Sequence, residues 1–176
     1  QFPIEEGKAI QLNPQVIHYL YWETNNRYRI RMLEALTGFD LRIYGNADWE
    51  TVARDSDLLN YFHGPADPVT ELPKIFASSA VNINIHSVQC RGSMNQRDFN
   101  APMAGGFLLS DWTPACAKYF QAGKEAVYAK DRVDLRTKAA YYLQHPDERE
   151  DIILRAQERI QSEHTYSQRI ADLLLK

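Results

Sequence analysis

Cysteine, long apolar runs and an excess of charge of either sign are all scarce in this chain. Its two cysteines, Cys90 and Cys116, stand in no Cys-x-x-Cys or Cys/His spacing, so neither a zinc site nor a disulfide framework is indicated and both read as free thiols. No apolar run approaches the roughly 18 residues needed to cross a bilayer. The opening QFPIEEGKAIQL lacks the basic-then-apolar order of a secretory leader, which makes a cytoplasmic location the default expectation. Twenty basic and 23 acidic residues leave a formal charge of −3. That balance offers no general attraction to nucleic acid or an anionic membrane, so any anion site must be local. The strings Gly-x-x-x-x-Gly-Lys-Ser/Thr and Gly-x-Gly-x-x-Gly do not occur, no Ser-His-Asp or Cys-His arrangement is readable, and no histidines form a metal-ligand pair. P-loop hydrolysis and dinucleotide redox chemistry are thereby disfavoured, and mononucleotide-type chemistry remains.

What is present points to one α/β domain. A chain of 176 residues, 44% hydrophobic, can bury a single sizeable core. Residues 81–111, VNINIHSVQCRGSMNQRDFNAPMAGGFLLSD, read as strand, polar loop, helix, Gly-Gly and second strand. Val81, Ile83 and Ile85 alternate as a strand, 97–104 is long enough for a short crossover helix, and Phe107, Leu108 and Leu109 suit a buried parallel strand. Parallel sheets bind ligands outside the carboxyl ends of their strands. The loop 86–96 leaves such an end and enters a helix whose first N–H groups would attract an anion, with Arg91 and Arg97 near enough to neutralise it.

The same rhythm extends along the chain. A helix over 13–37 is closed by Gly38 at its C′ position, and a strand over 40–44 ends at Gly45. A second short strand over 58–62 is broken by His63-Gly64-Pro65, and a helix over 68–79 feeds the strand at Val81. Beyond Asp111 follow a helix over 112–120, a strand over 126–129 and a helix over 133–143. Two closing helices cover 147–161, with Asp147 as cap, and 165–174, with a capping box from Thr165 to Gln168. The whole reads as one domain over 1–176: a leading helical segment (1–39), a βα core (40–146) and C-terminal helices (147–176). Its predicted architecture is a doubly wound, Rossmann-like sheet of about five parallel strands.

Three strand-end loops, at Gly45, at His63-Gly64 and at Gly92-Ser93 with Asn95, could converge on one sheet edge, although each glycine alone reads as a tight turn. Arg97 and Asn100, three apart at a helix start, would share a face near a phosphate and a ribose. The competing reading pairs Arg97 with Asp98 or Asp111. His86 is either a hydrogen-bonded core imidazole or a group facing the ligand loop. His18, His145 and His164 are most simply solvent-facing, Arg27 and Arg31 with Glu23 form a solvated helix face, and Gly105-Gly106 serves close helix-to-strand passage.

These residues carry a family likeness. The strings GSMNQRDFNAPMAGGFLLSD, KYFQAGKEAVYA, DLRTKAAYYLQHPDERE and HTYSQRI resemble the carboxyl-terminal domain of the CgeB-type (spore maturation protein) glycosyltransferase-like family, over most of the chain from about residue 41. Gly92, Asn95, Arg97 and Phe99, the Gly-Lys-Glu at Gly123 to Glu125 and the His-Thr-Tyr at His164 are the most specific matches. The resemblance implies one half of a GT-B fold, in which two Rossmann-like domains face each other across a cleft and the second holds a nucleoside-diphosphate-sugar donor. It places Gly92, Ser93 and Asn95 at the diphosphate with Arg97 offsetting its charge, Asn100 at the ribose or sugar, and His63-Gly64 near the base. No cofactor beyond the donor is implied, and the acceptor would be held by an N-terminal partner domain, without which this half is inactive. Gly92 and Asn100 occupy places where related retaining enzymes carry glutamates, and no basic residue closely follows Gly45. A non-enzymatic interaction domain keeping the same fold is therefore the alternative.

Overall fold

The computed structural model describes residues 13–175. The reading of the first twelve residues and of the Cys90 side chain falls outside that description. Helix α1 (Pro14–Glu34) starts where Asn13 accepts the Gln15 N–H and Pro14 supplies a preset φ at the first turn. It ends three residues short of the predicted Thr37. Gly38, expected at C′, instead takes its positive φ of 91° at the close of the turn that follows.

Helices α2 (Asp48–Val52) and α3 (Leu72–Ser78) precede strand β1 (Asn82–Asn84), and α4 (Arg97–Met103) carries the chain to β2 (Leu108–Asp111). Helix α5 (Cys116–Tyr119) leads to β3 (Val127–Ala129), followed by α6 (Arg132–Gln144), α7 (Pro146–Glu163) and α8 (Tyr166–Leu174). The strands form one parallel sheet in the order β1-β2-β3, with Asn84 opposite Ser110 and Asp111 opposite Ala129. The βαβ unit read from the sequence is therefore present, in a sheet that has three strands among the described residues where about five were expected.

The other two predicted strands meet at a single parallel bridge, Ile43 with Phe62. Residues 57–61 wind into a 3-10 turn because Ser56 caps it by accepting the Leu58 N–H, which leaves only Phe62 extended enough to pair. Helix α7 also starts earlier than predicted. Its cap position is His145, Pro146 holds the first turn, and Asp147 lies inside it rather than capping it. The capping box of α8 is present as read, with Thr165 and Gln168 each bonded to the other's backbone N–H.

Strand alternation divides the core. Leu109, Val127 and Ala129 face α1 and α6, packing with Met32, Leu36, Leu135, Ala139 and Phe107. Tyr128 faces the opposite side, with Phe120, Cys116 and Ile160. Full burial of side chains such as Phe107 and Leu109 is worth roughly 1.5–3 kcal/mol each. Cys116 is a free thiol in this core, and burial raises its pKa. His164, expected at the surface, is half-buried among Phe99, Tyr119 and Phe120. Gly106 lets α3, α4 and β1 meet: a Cβ there would stand 2.6 Å from both the Phe76 carbonyl oxygen and Asn82 Nδ2.

Candidate functional site

Period-two alternation in β1 puts Val81, Ile83 and Ile85 on one face and Asn82, Asn84 and His86 on the other. The polar face is the more deeply buried, reversing the usual arrangement, because α4 brings an acid to meet it. Asp98, on the first turn of α4, takes the Asn84 amide at 2.8 Å and the Ser110 hydroxyl at 3.1 Å on one oxygen. Its other oxygen takes the Asn95 N–H at 2.9 Å and faces His86 Nε2 at 2.9 Å. Asp111, at the end of β2, faces His86 Nδ1 at 2.7 Å, accepts the His86 backbone N–H at 2.8 Å, and accepts the Tyr28 hydroxyl from α1 at 2.7 Å.

His86 is thus clamped between two carboxylates, and all three side chains are essentially inaccessible, at 1–2% exposure. Burial alone would lower its pKa, but the hydrogen bonds and charges of Asp111 and Asp98 outweigh that and lift it to about 9. A neutral ring would aim a lone pair at one carboxylate, whereas an imidazolium donates to both. Tyr28 is pushed up as well, first by burial and then by its bond to Asp111. The network ties β1, β2, α1 and α4 together at the carboxyl ends of the strands.

A cleft of about 830 Å³ runs along the open edge of β1, between it and the chain at residues 39–46. Its walls are largely aliphatic and aromatic, and three arginines, Arg29, Arg42 and Arg97, stand on them with Asp40, Gly45, Asn46 and Trp49. Arg97 keeps solvent exposure while the crowding protein lowers its pKa, against the opposing charge of Asp98, as suits a side chain on a concave wall. Arg42 pairs with Asp40 at 3.6 Å, whereas neither Arg29 nor Arg97 makes an ion pair among the described residues. The acids named in the competing reading, Asp98 and Asp111, bind His86 instead.

The sequence-derived residues divide accordingly. Arg97 and Gly45 line the cleft. Gly64 adjoins it, its carbonyl accepting the Gly45 N–H at 3.0 Å, and His63 packs against the cleft residue Tyr44. His86 and Asn95 belong to the buried network, where Asn95 exchanges amide hydrogen bonds with Asn84 and caps the Arg97 N–H at 2.9 Å. The start of α4, expected to be open to an anion, is thereby closed by the chain's own Asn95 and Asp98. Gly92, Ser93 and Asn100 are exposed and do not line the cleft. Arg91 lies over the Tyr28 ring at 5.9 Å, and Arg27 pairs with Glu23 at 2.6 Å, as its solvated-face reading anticipated.

Sequence reasoning missed the inner face of α1. Asn25, Tyr28 and Arg29 follow i, i+3, i+4 spacing, and all three reach the site: Asn25 accepts the Val88 N–H at 3.3 Å and Arg29 donates to Ser87 at 3.2 Å. Residues 27–175 match the family described as glycosyl transferase-like. The chain belongs to that glycosyltransferase-like family. No curated protein matches it. The matched part of this glycosyltransferase-like domain includes Tyr28, Arg29, Arg97 and the whole Asp98–His86–Asp111 cluster, while the exposed aromatic start of α1, with Tyr19 and Trp22, precedes it. Among the described residues, no helix is long and apolar enough to cross a membrane, and no group of three His, Cys, Asp or Glu is placed to hold a metal ion.

Proposed function

We propose that this domain binds the nucleoside-diphosphate-sugar donor of a CgeB-type, GT-B glycosyltransferase, and that a partner domain supplies the acceptor site. The observation that carries this reading is Arg97: a guanidinium on the wall of a large cleft that Gly45 also lines, with no ion-pair partner among the described residues. Sugar transfer releases a nucleoside diphosphate, whose leaving oxygen gains negative charge as the bond breaks. A positioned arginine stabilises that charge without a metal. Tyr44, against which His63 packs, offers an aromatic surface for the base at the other side of Gly45.

His86 and Asn95 act here through position, holding the start of α4 and hence Arg97 at the strand ends. Calorimetric titration with UDP, GDP, ADP, TDP and CDP tests the proposal. One of them should bind saturably, and Arg97→Ala should weaken it by the value of a charge-assisted contact, about 1.5–3 kcal/mol. The exposed Gly92 and Asn100, standing where relatives carry glutamates, favour a second reading, an interaction domain that keeps the fold. Silence from all five nucleotides would select it.

A further inference from the structure

Arg29 is half-buried on α1 and shares the cleft wall with Arg97. Its only described hydrogen bond is to Ser87 Oγ, and its Nε is shut off from solvent with no acceptor. The nearest acid in charge terms, Asp111, has its oxygens engaged by His86 and Tyr28. Burial and then the charge of Arg97 both act against the Arg29 cation. Asp111 and Asp98 favour the two cations only through space, being bonded to His86, so two guanidiniums sharing a partly desolvated cleft without a direct ion pair are costly to hold together. The fold holds them regardless, because Asn25 and Tyr28 pin this face of α1 to the strand ends. An anion with two charged groups would relieve the repulsion, and guanidinium forks match phosphate oxygens in planar, two-point contacts.

We infer that Arg29 and Arg97 form a two-arginine site for the diphosphate of the ligand, so that the cleft takes a diphosphate in preference to a single phosphate. The inference rests on the donor-binding reading and sharpens it, since it assigns a phosphate contact to α1, outside the loops that follow the strands. The test titrates the full chain with inorganic pyrophosphate and with orthophosphate, using Arg29→Ala, Arg29→Lys, Arg97→Ala and, as a control on the solvated face of α1, Arg27→Ala. Wild type should bind pyrophosphate at least about tenfold more tightly than orthophosphate, the scale of one charge-assisted contact. Arg29→Ala should erase most of that preference, Arg29→Lys should restore part of it by returning charge without the fork, and Arg27→Ala should leave it intact. Should Arg29→Ala fail to fold, the lysine variant carries the test, a retained full preference counting against the inference.

Equal affinity of wild type for the two anions overturns the inference. So does a preference undiminished in both Arg29 variants, which would make Arg29 a structural tie; loss of nucleotide binding in Arg97→Ala alone would then leave the donor reading standing. Failure of wild type to bind either anion or any nucleotide would remove both.

Discussion

Raising the pH should weaken this protein through His86. The imidazole has an ordinary pKa of 6.5 and one of about 9 between Asp98 and Asp111. Because the folded value is the higher, the stabilisation is complete below pH 6.5 and is lost as pH rises through 9. Each tenfold step in proton affinity is worth about 1.4 kcal/mol, so the full effect is about 3 kcal/mol, a large share of the roughly 5–15 kcal/mol that separates folded from unfolded domains. The site is inaccessible to water, so solvent screening removes little of it. Urea unfolding followed by circular dichroism at constant ionic strength, from pH 6 to 9.5, should show the unfolding free energy falling by about 1.4 kcal/mol per pH unit over most of that range. His86→Gln, which cannot titrate, should be less stable at pH 6 and flat where wild type declines. A flat wild-type profile, or the same decline in His86→Gln, would refute the assignment of an imidazolium held by two carboxylates.

Other substitutions probe the remaining joints of the structure. Gly106→Ala should destabilise by roughly 1–3 kcal/mol, since its methyl would meet the Phe76 carbonyl at 2.6 Å. An unchanged melting temperature would show that α3 is not held that close. Tyr28→Phe removes a bond to a carboxylate and should cost about 1.5–3 kcal/mol in the same unfolding assay; no loss would mean that α1 is not anchored through Asp111. Trp49→Phe should cost less than about 1 kcal/mol, because the buried indole N–H has no acceptor and its removal offsets lost packing. A loss above about 2 kcal/mol would reveal a partner for that N–H.

Local signals announced the central βαβ unit: the alternation in β1, a crossover of helical length, and a Gly-Gly pair whose second member has no room for a side chain. The Thr165 capping box was equally plain. The predicted strand at 58–62 was not separable from a 3-10 turn by apolar content, because Ser56 decides the local backbone through one side-chain bond. His86 could not be placed from sequence, since its two partners lie 12 and 25 residues further along and meet it only when β1, β2 and α4 assemble. The alternation that marked Val81, Ile83 and Ile85 as a strand carried no reading of Asn82 and Asn84, whose side chains the fold buries. Arg29 went unseen because exposed aromatics such as Tyr19 and Trp22 spread over the surface of α1, which masks the i, i+3, i+4 face of Asn25, Tyr28 and Arg29.

Titration of the chain with the five nucleoside diphosphates, in wild type and in Arg97→Ala, tests the central claim most directly. Saturable binding of one nucleotide, weakened about tenfold or more in a variant that still folds, is the result predicted for a donor-binding glycosyltransferase domain. Binding unaffected by Arg97→Ala would place the nucleotide outside this cleft and contradict the account.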